Sequence, residues 1–491
     1  MTHIDLKAST LLLVGLLVMT KAYSQKASDD LHYEITAGTY LSTGKTLPFW
    51  MRANQYGEVP LESGIFTLQG QISRDYKPRT GENDKFSYGY GVRMVGNVGK
   101  TNQFLLPEAY VKVRYGAFEL YGGRRKEMVG LADSTLSSGS FIWSGNALPI
   151  PKIEIAVRNY TPLVKSGLIS AKGNFSHGWF GSSQEHAKDY YLHQKSLYVR
   201  IGKPDWRFKM HMGANHQAQW GGRPTEPYIY KLTGELVTKY GSNFRAYRAV
   251  LFGEPIKPDA DPDLFGEGTF NESSNRAGNH LGTVDVALEY NSPKANILLY
   301  RQSIYEDGSL FYLSNIHDGL NGLALTFKNV DQGIKKVVVE YLHTINQGGG
   351  IGHGITVPEL RGRDNYFNNE IYRDGWTYKG QTLGTPFIMP WPQLTGFEFK
   401  GNEKLLIGNN RVKAIIFGMQ SKAWKLDLIT RFSYSKNWGV YGYKINKAQT
   451  SIQQSIALPI GLYSIQTGLY YDRGSLLEKN FGLQLAVKRS F

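Results

Sequence analysis

The chain of 491 residues contains no cysteine. That absence excludes disulfides, thiolate metal sites and cysteine nucleophiles, and it removes the processed Cys that a lipoprotein anchor requires. Long apolar runs are also missing. Hydrophobic residues make up 41 % of the chain and the mean hydropathy is −0.35. The apolar stretch Leu11–Met19 falls well short of the roughly 20 residues needed to cross a bilayer as a helix. With Lys7 ahead of it and Ala22, Tyr23 and Ser24 behind, it reads as a secretory signal cut after Ser24. Nothing after residue 24 reads as a spanning helix.

Catalytic signatures are equally scarce. No G-x-S-x-G elbow, HExxH pair or Walker loop occurs. His317 stands beside Asp318, but neighbours on a strand point to opposite faces, so they make a poor dyad. His216 and His353 are single histidines. Asp259, Asp261 and Asp263 have the odd spacing of a calcium loop, yet Leu264 stands where the turn demands Gly and Phe270 where it demands Glu. The residues predict no enzyme, no cofactor and no metal site. The charge is +15, from 56 Lys plus Arg against 41 Asp plus Glu. It is spread through the chain rather than gathered in a run, which argues against nucleic acid and for acidic polymers or phosphate-bearing lipid sugars.

What the chain has in quantity is glycine, tyrosine and alternation. There are 55 Gly and 32 Tyr, and aromatics are 13 % of residues. In "FTLQGQIS", Phe66, Leu68 and Ile72 alternate with Thr67, Gln69, Gln71 and Ser73. In "WRFKMHMGANHQ", Trp206, Phe208, Met210, Met212 and Ala214 alternate with Arg207, Lys209, His211, Asn215 and Gln217. "TVDVALEY" sets Val284, Val286 and Leu288 against Asp285 and Glu289, and "WKLDLITRFSY" repeats the rhythm with Phe432 and Tyr434 against Arg431 and Ser433. A period of two puts one set on each face of a strand. Aromatics near strand ends on the apolar face suit a lipid interface, and Arg, Lys, Gln and Asn on the other suit a wet lumen. The final "FGLQLAVKRSF" ends on an aromatic, as outer-membrane strands read by the insertion machinery do, so Phe491 is the expected contact with it. Arg489 breaks the apolar set where snorkelling permits it.

The expected fold is therefore all-β: one large transmembrane antiparallel barrel of about 16–18 strands, exported to the outer membrane, with long extracellular loops. Segments 252–282 and 346–396 are the longest loop candidates. The second is dense in rings, with Tyr366, Phe367, Tyr372, Trp376, Tyr378, Phe387 and Trp391 among Asn365, Asn368, Asn369, Arg373, Lys379 and Gln381. Flat rings stack on sugar faces and amides bond hydroxyls. The same rings could instead pack inside a loop folded into the lumen.

Blocks scattered through the chain resemble the capsule assembly Wzi family of outer-membrane proteins. They are "TLPFWMRANQYG" (46–57), "LSSGSFIWSGNALPIPKIEI" (136–155), "HQAQWGG" (216–222), "NRAGNHLGTVD" (275–285), "DGLNGLAL" (318–325) and "YFNNEIYRDGWTYKGQTLGTPF" (366–387). The resemblance implies a barrel of roughly eighteen strands spanning 61–491 and an N-terminal periplasmic-side segment over 25–60. It implies a lectin-like role, holding capsular or exopolysaccharide at the cell surface. The residues carried over as carbohydrate-binding are Trp376, Tyr378, Arg373, Asn368 and Asn369, with His216, Gln219 and Trp220 beside them. "SGNALPIPK" reads equally as a piece that fixes barrel geometry. Lipopolysaccharide sugars and outer-membrane lipid are further expected partners. The rival expectation is a general or anion-selective diffusion porin with Arg207 and Lys209 lining an open lumen.

Overall fold

A computed structural model describes residues 31–77, 85–229, 234, 236–254, 277–306, 309–349, 362–396 and 405–491. The signal stretch, the Asp259–Asp263 acids and His353 lie outside the described residues.

Eighteen strands form the wall: β1 Leu31–Ser42, β2 Ile65–Arg74, β3 Phe86–Gly99, β4 Gln103–Tyr115, β5 Phe118–Arg124, β6 Lys152–Pro162, β7 Ile169–Gly181, β8 Tyr190–Ile201 and β9 Phe208–Trp220. They continue as β10 Asn279–Asn291, β11 Ala295–Glu306, β12 Gly319–Phe327, β13 Gly333–His343, β14 Val412–Ala423, β15 Leu426–Val440, β16 Tyr443–Ile460, β17 Tyr463–Gly474 and β18 Asn480–Ser490. Each pairs antiparallel with the next in the chain. The sheet closes where β1 meets β18, from Glu34 opposite Ser490 to Ser42 opposite Gly482. Closure leaves no strand edge unpaired, which lipid requires. The expected single barrel is borne out, at eighteen strands. Its start is not where the resemblance put it: Leu31–Ser42 is a wall strand paired on both sides, so residues 31–42 belong to the barrel and no separate segment runs to residue 60.

The alternation sorts as expected. Leu68, Phe208, Val284, Val286, Leu288, Phe432 and Tyr434 face out and are exposed. Thr67, Lys209, His211, Asn215, Asp285 and Ser433 face in and are buried. This is the apolar-out, polar-in pattern of an outer-membrane barrel. One rim carries exposed Phe86, Tyr115, Phe118, Trp206, Phe208 and Trp424, and the other carries Phe104, Trp179, Tyr341 and Phe481, as two aromatic girdles would. At the first rim the connections are mostly short. Gly116 and Gly461 take φ near +60° there, the left-handed conformation that a two-residue hairpin turn demands. At the other rim lie the long connections 43–64, 125–151, 221–278 and 344–411. In such barrels the short turns are periplasmic and the long loops extracellular.

Arg489 faces outward near the turn rim, its guanidinium 5.2 Å from the Tyr463 ring centre and 4.3 Å from that of Phe491. The charge is stacked on the girdle rather than immersed in the apolar band. Arg207 departs from expectation. It precedes β9 in an exposed turn and does not line the lumen, whereas Lys209 does and pairs with Glu289 at 3.3 Å.

Candidate functional site

Three of the long loop-rim connections turn back into the barrel and fill it. The first, 43–64, carries a single helical turn, α1 (Phe49–Arg52), all four residues of which are buried. The second is 125–151. The third is the described part of 344–411. All three coincide with blocks that carry the family resemblance, 46–57, 136–155 and 366–387. Phe49, Trp50, Phe141, Ile142, Trp143, Phe367, Tyr372, Trp376, Phe387 and Ile388 join inward wall residues such as Tyr190, Leu281, Ile304 and Leu342 in one apolar core. The rings pack edge-on, Phe49 with Trp50 at 4.9 Å and Phe141 with Phe367 at 6.1 Å between centres.

The inserts have little regular structure, so their backbone groups need partners in a dry interior. The wall supplies them. Leu131 N donates to Asp285 Oδ2 at 2.8 Å, Ser138 N to Glu340 Oε2 at 2.7 Å and Phe141 N to Gln302 Oε1 at 2.7 Å. Phe49 N donates to Asp472 Oδ2 at 2.8 Å and Phe367 N to Glu306 Oε2 at 3.1 Å. Five inward acceptors on β10, β11, β13 and β17 thus hold three irregular segments in place. Sequence reasoning missed this role. The available signal was a carboxylate on the inward parity of an apolar strand, as Asp285 is in "TVDVALEY".

Asp318 serves the same purpose near the rim. It accepts from Asn346 N at 3.0 Å, Gln347 N at 2.6 Å and the Tyr366 hydroxyl at 2.8 Å, and lies 2.7 Å from His343 Nδ1. Its partner is His343, not the adjacent His317.

The eight carried-over residues do not form one surface. The Trp376 ring is fully buried and its Nε1 donates to Ile142 O at 2.8 Å. Buried Tyr378 accepts from Arg124 Nη2 at 3.0 Å, and burial raises its hydroxyl pKa. Asn368 bonds both backbone groups of Ile407. Asn369 closes its own turn, accepting from Ile371 N and Tyr372 N. These four positions hold together the strap formed by the third insert, and no sugar face reaches the Trp376 ring where it stands. Arg373 stays partly exposed, with Nε donating to Glu370 O at 3.2 Å. Strand parity splits the other three. Gln219 points into the lumen and donates to Gly375 O at 3.0 Å. His216 and Trp220 point out through the wall, His216 Nε2 at 2.8 Å from His280 Nδ1 and Trp220 against Tyr191 and Tyr247. Among the described residues at the loop rim near the strap, Glu370 and Lys379 are exposed and Arg373, Gln381, Gln393 and Trp391 are half-buried, Trp391 packing edge-on against Tyr443 at 5.1 Å.

The strap is clamped to the β7–β8 loop by Asp374, which accepts from Glu185 N at 3.1 Å, His186 N at 2.9 Å and Ala187 N at 3.2 Å. His186 Nδ1 lies 3.3 Å from Asp374 Oδ1. That hydrogen bond raises the His186 pKa above its ordinary value. Burial works against the Asp374 carboxylate, but the hydrogen bonds from His186 and the backbone outweigh it and hold its pKa below the usual range.

Where the first two inserts meet the wall, and beside them, the lumen is charged. Lys152 pairs with Glu154 at 2.8 Å and with Glu127. Arg158 and Arg125 share Glu119 at 2.9 and 2.7 Å. Arg93 grips Glu58 through Nε at 3.0 Å and Nη2 at 3.1 Å, while Lys126 also pairs with Glu58 and Lys488 with Glu34. The buried members of the set, Lys152, Glu154, Glu127, Glu119 and Glu58, are each matched by an opposite charge, as their desolvation requires. Beside the Glu58–Arg93 pair is a cavity of about 250 Å³ lined by Thr36, Thr67, Gln69, Gln466 and Gln484.

No protein-family model matches the chain, and no curated protein matches it. Among solved structures it is similar to OccAB4 of Acinetobacter baumannii, at 8 % identity and a TM-score of 0.47, covering 95 % of this chain and 100 % of that one. It is also similar to OpdL of Pseudomonas aeruginosa, at 9 % identity and 0.46, covering 94 % and 98 %. For OccK5 of the same organism the values are 8 %, 0.45, 94 % and 97 %. Likeness at this level carries no argument about what the chain binds or conducts. The strand register and the apolar exterior define the class: an outer-membrane-type antiparallel β-barrel of eighteen strands.

Proposed function

We propose that this barrel is an anchor, retaining an acidic capsular or exopolysaccharide at the cell surface. The observation that carries the reading is the filled lumen. Inward side chains such as Lys152, Gln194, Asp285, Gln302 and Glu340 are almost fully buried beneath the inserts, which suits a closed platform better than a diffusion pore. Polymer contact falls to the rim, where Trp391 offers a ring, Gln381 and Gln393 offer amides, and Arg373 and Lys379 offer positive charge. Each contact would be weak, and a long polymer gains strength by touching several barrels at once. Deleting the gene should move surface polymer into the medium while total synthesis continues. Arg373→Ala with Lys379→Ala should do the same in part, with the barrel intact. Unchanged cell-bound and shed polymer in the deletion strain would end this reading.

A second reading rests on the polar cavity beside Glu58 and Arg93, which favours passage of small polar solutes. Planar-bilayer conductance separates the two. Steady ohmic channels from the unaltered protein would support a porin, and electrical silence the anchor.

A further inference from the structure

Helix α2 (Phe244–Phe252) lies not over the mouth but against the outside of the wall. Its Ala249 and Val250 are buried against Ala218 and Trp220 of β9 and against Ala277, Ala246 is buried on the same face, and both Ala218 and Trp220 are on the outward parity. Asn243 caps the first turn through Ala246 N at 2.8 Å, and Gly253 ends the helix in the left-handed conformation at φ +62°, so its boundaries are built into the sequence. The depth of the helix follows from the strand beneath it. Trp220 stands twelve residues beyond Phe208 of the lower girdle, roughly 40 Å along the strand and about 28 Å in height at a tilt near 45°. That is close to the roughly 25 Å of an outer-membrane apolar band. The helix therefore sits at the upper membrane–water boundary.

The face turned away from the wall is mixed. Phe244 is 81 % exposed and Phe252 is 69 % exposed, eight residues apart and hence on one side of the helix. Arg245 and Arg248 stand between them, also exposed. Among the described residues, nearby charges include the Glu254 carboxylate, 3.3 Å from Arg248, the Arg223–Asp189 pair, and Lys195. Lys195 faces out from β8 and donates to Leu251 O at the helix C-terminus. Two large rings held in water at a membrane boundary would be unfavourable, whereas immersed in acyl chains they leave the long Arg245 and Arg248 side chains free to snorkel up to phosphate depth.

We infer that α2 is an interfacial helix that binds the phosphate groups of the outer-leaflet glycolipid, with Phe244 and Phe252 seated among the acyl chains and Arg245, Arg248 and Lys195 facing the headgroup. This goes beyond glycan anchoring and does not depend on it, because the occupant is the lipid beside the barrel and not a polymer over its mouth.

Because the chain has no cysteine, single labels are unambiguous. The purified full chain is reconstituted into phosphatidylcholine vesicles containing bisphosphorylated lipid A, with a fluorophore at Phe252→Cys, Leu197→Cys (wall, within the band) or Glu370→Cys (mouth). Brominated acyl chains should quench positions 252 and 197 alike and leave 370 bright. In the same detergent-purified protein, Arg245→Gln with Arg248→Gln should lower lipid A retention at least about fivefold, since each cation near an anionic surface is worth about that factor. Retention of the dephosphorylated lipid should be unaffected. Heat-modifiable gel mobility checks that the barrel is intact. If position 252 is no more quenched than 370, the seating is wrong. If the arginine variant retains lipid A unchanged, the phosphate site is wrong.

Discussion

The backbone N–H of Leu131, on a loop-end insert, donates to the carboxylate of Asp285 on β10 at 2.8 Å. The two residues are 154 positions apart. Their contact shows how the barrel is closed: the wall provides acceptors for backbone that has no ladder of its own. Tyr198 OH also donates to this carboxylate, at 3.2 Å, so Asp285 ties β8, β10 and the insert together.

Asp285→Ala should free the insert without opening the barrel. Leaving a buried donor without its acceptor costs about 1–3 kcal/mol. We expect a lower urea midpoint for insert protection against protease, new conductance events in planar bilayers, and unchanged heat-modifiable mobility. Conductance and protection equal to those of the parent would contradict the assigned role.

Trp376→Ala removes a fully buried ring and its bond to Ile142 O. Large aromatic truncations in cores cost about 3–5 kcal/mol, and the insert core should lose most of its packing around Trp143 and Phe180. The measurement is limited proteolysis followed by mass spectrometry, with cleavage appearing within 364–394. Trp376→Phe should be milder. If Trp376→Ala instead abolishes polymer retention with no gain in cleavage, the ring touches glycan and the core assignment fails.

The clamp between Asp374 and His186 should depend on pH in both directions. His186 has a raised folded pKa, so its contribution is full below its unfolded value near 6.5 and is lost as pH rises through the folded value. Asp374 has a depressed folded pKa, so its contribution is full above about 3.9 and is lost as pH falls through the folded value. Protection of residues 182–188 from protease should therefore peak at mildly acidic pH. His186→Gln should flatten the upper limb alone, and Asp374→Asn should weaken protection on both sides. A flat profile in the parent protein would refute the clamp.

Phe491→Ser should lower the yield of assembled barrel in cells severalfold, measured as heat-modifiable protein in outer-membrane fractions. Refolding of the purified chain in detergent should be little affected, because Phe491 N still donates to Tyr33 O. Equal yields in cells would remove the C-terminal aromatic from any part in assembly.

The two-residue rhythm of the sequence settled the closed sheet and which set of side chains meets lipid, because a strand places alternate residues on opposite faces and a bilayer tolerates no open edge. Val284, Val286 and Leu288 against Asp285 carried that information without any neighbour. The fate of the aromatic stretch from Tyr366 to Trp391 was not legible in the same way. Rings and amides serve a sugar surface and a buried plug equally well, and only the other two inserts, arriving from positions 43–64 and 125–151, decide which rings are covered. The resemblance grouped His216, Gln219 and Trp220, whereas strand parity turns His216 and Trp220 away from Gln219. The burial of Trp220 under α2 depends on a loop that returns to the outside of the wall. Local alternation is a property of neighbouring residues, whereas the contents of the lumen are set by contacts between segments hundreds of residues apart.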